Sequence, residues 1–359
     1  MINSEAKPDM APGHSKQPVT NLFLIYSPLH YLAAESIAVH FEQNAHNYLF
    51  YLKLEFQKLV DPSKWDAVNF LPWPRFYPEK GLFGGMRRAV KNLKLVAGLC
   101  EGATTIRLHT TVIDTEAVNY LINFLKASFP CASFSVRIIP DGLLNIRRHP
   151  MGRLKEALQY LKKARRLFFP ALDYYTFSGD RTGSDDPIVD RIYLLPHFPH
   201  QYNSAKTVKL PSLTASPESE ETGWHAPRAL VIGQPLVDFK RMSVANVEVV
   251  TRGIRDFIEQ CSILEIDYKA HPKDRERDYD NPDYHDLNID IALESYLSKH
   301  PYDLVIGVCS TALLTARLIM PISTRVVAYG INLMEFRSKN ERDEIESPFK
   351  KLDVKIVDA

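Results

Sequence analysis

Short apolar runs recur along the chain. Each gives way to a turn and then to a stretch whose apolar residues repeat every third or fourth position. The first run, Asn21-Leu22-Phe23-Leu24-Ile25-Tyr26, has the continuous apolar character of a buried strand. It passes through Ser27-Pro28-Leu29-His30 into a helical pattern that lasts to about Phe41. Further strands are predicted at 48–52, 104–108, 134–139 and 191–195, with helices at 87–99 and 115–128. A second series begins at Arg228-Ala229-Leu230-Val231-Ile232 and continues through strands at 263–268, 302–307 and 325–329. Its helices are predicted at 244–261, with Ser243 placed as a cap, at 289–299 and at 311–319. Strands alternating with helices argue for an α/β chain whose mostly parallel sheets are covered on both sides.

Between the two series, 212–225 is rich in Ser, Glu, Thr and Pro and poor in apolar residues, the composition of a linker. The expected organisation is a loose tail at 1–20, a Rossmann-like domain at 21–211, a linker at 212–226 and a second Rossmann-like domain at 227–359. A length of 359 residues suits two domains. No GxGxxG opens either half, which weighs against a dinucleotide-dependent dehydrogenase. The net charge of +1 gives no case for nucleic acid. Cys100, Cys131, Cys261 and Cys309 form no CxxC pair, which argues against a zinc site or a disulfide framework and for a reducing compartment. No apolar run is long enough to span a bilayer, and the polar N-terminal stretch lacks a signal core, so a cytoplasmic location is expected. One stretch stands apart. At 152–169, Arg153, Lys155, Lys162, Lys163, Arg165 and Arg166 mix with Leu154, Leu158, Leu161 and Leu167-Phe168-Phe169. Such a helix either lies on an anionic surface at the inner face of the membrane or is a surface helix with a solvated basic side.

The candidate chemistry falls at predicted strand ends, where open α/β sheets bind ligands. Tyr268-Lys269-Ala270-His271-Pro272-Lys273 places a histidine between lysines just past a strand, suited to an anionic leaving group or to a plain turn. Gly307-Val308-Cys309-Ser310-Thr311 joins a strand to a helix, where Ser310 or Thr311 can cap the helix and its N-terminus can attract a phosphate or carboxylate. Gly233-Gln234-Pro235 allows close backbone approach and offers an amide to a nucleobase or sugar, or is simply a turn. Pro140-Asp141-Gly142 sets one carboxylate at a strand end, a candidate general base or an ordinary turn aspartate.

The order Asp141-Gly142, Gly233-Gln234-Pro235-Leu236, His271-Pro272 and Ser310-Thr311 resembles the bacterial sialyltransferases, and more closely the capsular polysialyltransferase and lipooligosaccharide sialyltransferase families. The opening Tyr26-Ser27-Pro28-Leu29-His30 is similar to their first strand and loop, making Ser27 and His30 acceptor-side candidates. The resemblance implies two facing Rossmann-like domains of the GT-B glycosyltransferase type with a cleft between them. It implies a CMP-sialic acid donor, a glycan or glycolipid acceptor, no cofactor, no metal and inversion at the anomeric carbon. By the same resemblance Asp141 is the base and His271 the acid towards the departing CMP. Gly233, Gln234, Lys269, Pro272, Ser310 and Thr311 then meet the donor, and Glu294 resembles a family acid near the nucleotide. The family has two acids before the glycine, and Pro140 takes the first place here. Two other readings remain open: a transferase of the same fold using another nucleotide sugar, and an inactive relative that binds glycans or membranes.

Overall fold

The computed structural model describes residues 19–141, 148–195, 200–211, 213, 226–271, 274, 277–289, 291–336 and 339–359. The first half contributes β1 (Val19–Ile25), β2 (His46–Tyr51), β3 (Ala67–Phe70), β4 (Thr105–Thr110), β5 (Ser133–Ile138), β6 (Val189–Leu194) and β7 (Thr207–Lys209). They form a seven-stranded sheet in the order β3-β2-β1-β4-β5-β6-β7. The second half contributes β8 (Arg228–Ile232), β9 (Glu265–Lys269), β10 (His285–Asp286), β11 (Leu304–Gly307), β12 (Arg325–Tyr329) and β13 (Lys355–Val357). These form a six-stranded sheet in the order β10-β9-β8-β11-β12-β13. Every pairing between these strands is parallel. The α/β chain therefore has two Rossmann-like sheets, and each reverses its order beside its first strand.

The helices are α1 (Pro28–Phe41), α2 (Gly84–Gly98), α3 (Glu116–Ser128), α4 (Arg153–Lys163), α5 (Val244–Gln260), α6 (Leu293–Leu297), α7 (Thr311–Ile319) and α8 (Lys339–Lys351). Alternation in β1 decides where they pack, because successive side chains point to opposite faces. Leu22 and Leu24 join a core with Leu93 and Val96 of α2 and Val118, Leu121 and Leu125 of α3. Phe23 and Ile25 join Ala33, Ala34 and Ile37 of α1 in a second core that continues into Leu230, Ile232 and Leu313 of the other half. Helix α1 also packs on α6. Covered from both sides, α1 carries apolar residues over most of its circumference.

Several boundaries differ from expectation. Strand β1 already begins at Val19, inside the predicted tail, and residues 1–18 lie outside the described set. Of the predicted linker, only Leu213 and Ala226 are described, and Leu213 is buried in the shared core. Helix α6 is shorter than 289–299 because Ala292 keeps an extended backbone as its N-cap. Among the described residues no helix is long and apolar enough to cross a membrane.

Candidate functional site

The first candidate edge begins where β1 ends. Ser27 adopts an extended backbone, and its hydroxyl accepts the His30 N–H at 3.3 Å, starting α1 with Pro28 in the first turn. His30 answers in the opposite direction. Its Nδ1 accepts the Tyr26 N–H at 3.2 Å, a reciprocal pairing of the capping-box kind. With Nδ1 occupied as an acceptor, the ring proton belongs on Nε2, which faces Asp141 Oδ1 within hydrogen-bond reach. His30 is almost fully buried, while Asp141 keeps 23% of its side chain exposed. The pair spans 111 positions of sequence. Tyr26 walls it on one side, with its ring edge-on to His30 at 5.9 Å and to Trp73 at 5.7 Å. Burial pushes the Tyr26 phenol up to about 12, and the charge of Asp141 acts in the same direction. Tyr26 is therefore no base at neutral pH.

Strand position explains why these residues meet. Phe23, His109 and Arg137 are paired across β1, β4 and β5. Counting on from that row brings Ser27 and Asp141 to one level beyond the strand ends, on either side of β4. This is the crevice where the sheet order reverses. Pro140 is buried. An acid in its place would have to be desolvated, whereas Asp141 reaches partly into solvent.

The second edge has the same layout. Ile232 pairs with Lys269, and Val231 pairs with Ile306. Counting on places His271, Gln234 and Cys309 at one level past the ends of the adjacent strands β9, β8 and β11. Gln234 spans the order reversal: its Oε1 accepts the Cys309 N–H at 2.8 Å, and its Nε2 lies 3.5 Å from Cys309 Sγ. Both ends of the amide thus hold the turn into α7. Gly233 permits close packing of the same region, since a Cβ there would lie 2.5 Å from the Tyr268 hydroxyl. Ser310 caps α7 by accepting the Ala312 N–H at 3.2 Å, and Thr311 is exposed in the first helical position. Burial raises the Cys309 thiol above its usual range, so it stays protonated. His271 is half-buried, and its carbonyl accepts the Asp274 N–H at 2.9 Å. The Lys269 ammonium donates to the Ala270 carbonyl at 3.3 Å. Pro272 and Lys273, like Gly142, lie outside the described residues.

The two halves meet near these edges. Tyr26, Ser27, Lys53 and Phe56 of the first share a cavity of about 350 Å³ with Ile291 and Ala292 of the second. Ala292 leads into α6, with Glu294 in its first turn. Direct bonding joins His30 to Asp141 and Gln234 to Cys309. Sequence reasoning singled out His30, Asp141 and Gln234 but not that His30 meets Asp141 or that Gln234 meets Cys309, and it passed over Lys53 and Lys58, which line the cavity. The signal for the lysines was present, because they follow the run that ends at Leu52.

Comparison with family models matches residues 188–329 to the alpha-2,8-polysialyltransferase family. The matched stretch runs from the start of β6 to the end of β12 and contains Gln234, His271 and Ser310, while His30 and Asp141 precede it. Comparison with curated proteins gives no match. Similar solved structures include the spinosyn rhamnosyltransferase SpnG with spinosyn aglycone, at 13% identity over 94% of this chain and 85% of that one, TM-score 0.45. The UDP-GlcNAc 2-epimerase of Methanocaldococcus jannaschii is similar at 10% identity over 94% and 92%, TM-score 0.47. MurG of Acinetobacter baumannii is similar at 11% identity over 94% and 84%, TM-score 0.43. Residues 188–329 are thus similar to the alpha-2,8-polysialyltransferases, which supports a glycosyltransferase.

Proposed function

We propose that this glycosyltransferase moves sialic acid, or a related nonulosonic acid, from its CMP-linked donor to a hydroxyl of a cell-surface glycan, in one inverting step without a metal. The acceptor class is a lipooligosaccharide, capsule or O-antigen chain. The observation that carries the reading is the His30–Asp141 pair in the crevice of the first sheet. His30 turns its proton towards one carboxylate oxygen of Asp141 and so orients that carboxylate for the acceptor hydroxyl. As that oxygen attacks the anomeric carbon, its proton passes to Asp141. The bond from the anomeric carbon to the phosphate oxygen breaks, and its electron pair leaves with CMP. On the donor side, His271 takes the acid role, and Ser310, Thr311 and the N-terminus of α7 take up the growing phosphate charge. Lys269 adds positive charge at the same edge. Gly233 and Gln234 shape the turn beside the nucleotide, and Glu294 faces it from α6. Displacement by the acceptor itself needs no nucleophile from the protein, consistent with Cys309 remaining a thiol.

The test offers CMP-sialic acid with lactose- and sialoside-terminated acceptors and reads the products by mass. Asp141→Asn should lower transfer by about 10³-fold while the thermal shift produced by CMP stays unchanged. Full activity in that variant removes Asp141 from the mechanism. A larger thermal shift with UDP than with CMP moves the reading to another nucleotide sugar. No product with any acceptor, and no donor hydrolysis, leaves a binding protein.

A further inference from the structure

Helix α4 is packed with its polar side inward. Gln159 is its one buried residue, and the Gln159 amide exchanges hydrogen bonds with the backbone of Phe177, at 2.9 Å to the carbonyl and 3.0 Å from the N–H. Lys155 pairs with Asp114, and Arg165 pairs with Glu116 and bonds the Tyr120 hydroxyl at 3.1 Å. The basic residues that the sequence suggested for a solvated or membrane-facing side thus partly serve as anchors to α3 and its leading loop. The leucines point the other way. Leu154 is 77% exposed, Leu161 69% and Phe168 83%, and Leu158 lies exposed between them. Their spacing makes one continuous stripe along the outer face of α4 and the turn that follows. A chain that stays in water rarely leaves such a stripe uncovered.

The stripe continues onto a second element. The Phe83 ring lies 6.1 Å from that of Phe169, edge to face. Phe83 is itself exposed, next to exposed Leu82, and is held at a φ of 60°, a left-handed conformation that bulky side chains seldom adopt. Arg153 and Arg87 stand exposed around the patch, Arg166 is exposed but paired with Asp173 at 3.5 Å, and Lys163 is half-exposed beside it.

We propose that this face, formed by the outer side of α4, Phe168 and the Leu82-Phe83 corner, docks onto an anionic lipid surface. The helix satisfies its own backbone hydrogen bonds, so its outer face can enter the acyl boundary while the basic rim stays among the headgroups. The rim also decides between occupants. Two copies meeting through this patch would bring like charges together, whereas anionic headgroups neutralise them. The inference does not depend on the proposed donor or on Asp141.

The experiment sediments the full chain with phosphatidylcholine vesicles prepared with and without phosphatidylglycerol. The chain should pellet with the anionic vesicles and be released by salt. The combined variant Leu154→Gln, Leu161→Gln and Phe168→Gln alters only exposed positions, so its denaturation midpoint should hold. Its vesicle affinity should fall about 100-fold or more. Lys163→Gln should weaken binding roughly fivefold, and transfer to a soluble acceptor should be unchanged in both. The proposal is overturned if the unaltered chain stays in the supernatant. It is equally overturned if the glutamine variant changes the oligomeric mass and vesicle binding is absent, which would make the patch a protein interface. Vesicle binding kept at full strength by the glutamine variant overturns it as well, whereas an unaltered chain that binds vesicles but transfers nothing counts only against the catalytic reading.

Discussion

The two halves share one strand plan and equip it differently. In each sheet a side chain reaches across the order reversal to the other side of the crevice. In the first half an imidazole meets a carboxylate, His30 against Asp141. In the second an uncharged amide holds a peptide N–H and a thiol, Gln234 against Cys309, beside a capped helix. A histidine–carboxylate pair can orient and accept a proton. A rigid turn with a helix N-terminus can hold an anion, and any proton that the anion needs must come from a group beside the turn, the part proposed for His271. The shared topology places both crevices, and the residues at each decide which part of a group transfer it suits.

The largest expected effect separates these parts. His30→Phe removes the donor to Asp141 and the acceptor for the Tyr26 N–H, yet leaves the second half intact. The turnover number should fall by about 100-fold, with CMP affinity unchanged. His30→Gln, which restores a donor towards Asp141, should recover part of the loss. Stopped-flow CMP binding alongside steady-state transfer checks this. An equal loss of CMP affinity would show that the division between the halves is wrong, and that His30 supports the whole cleft.

Gln234→Leu probes the other side. It leaves the Cys309 N–H without its acceptor in a partly buried turn, at a cost of about 1–3 kcal/mol in stability. Because the same turn leads into α7, CMP affinity should fall as well. Proton transfer at the first edge should not change: at saturating donor the turnover number stays near that of the unaltered protein. Urea denaturation and CMP titration report the two effects separately. Lost stability with unchanged CMP affinity would reduce Gln234 to a brace and place the nucleotide elsewhere.

Particular elements show what could be read from residues alone. The interior strands β1, β8 and β11 were legible as nearly continuous apolar runs, and β4 and β5 as alternating ones. The four strands that were missed, β3, β7, β10 and β13, are the edge strands of the two sheets. They are short and half-exposed, so no apolar run marks them. At the site, turn chemistry betrayed His30, Asp141, Gln234 and Ser310 one at a time. Their pairing was hidden because it depends on which strands are neighbours, and that information lies far apart in the chain. Helix α4 shows the converse limit. Its amphipathic spacing was visible, but which side faces the body depends on Asp114, Glu116 and Phe177, and no local pattern contains them.

The smallest effect concerns charge inside the first sheet, where the halves differ again. His109 is fully buried, stacked on Phe23 at 4.1 Å and beside Tyr193 at 6.0 Å. Its Nε2 lies 3.4 Å from Asn21 Oδ1. Burial first, and then the charges of Arg137, Arg107 and Arg191, hold its pKa well below the ordinary 6.5. Buried Glu42 pairs with Arg107 at 2.6 Å and with Arg137, so the arginines are compensated, but a further cation is not. In the second sheet the comparable histidine, His285, is exposed and bonds to Asp267 at 2.9 Å. Above the ordinary value both folded and unfolded chains carry a neutral His109, and stability is independent of its titration. Below it the unfolded chain binds a proton that the folded chain refuses, so stability falls as pH falls. For one proton the slope approaches 1.4 kcal/mol per pH unit, to order of magnitude. His109→Phe should keep the stacking on Phe23 and remove that slope between about pH 6.5 and 5. Urea denaturation of both proteins across that range gives the difference directly. Parallel curves would mean that acid sensitivity arises outside the first sheet, and the contrast between the halves would then rest on their crevices alone.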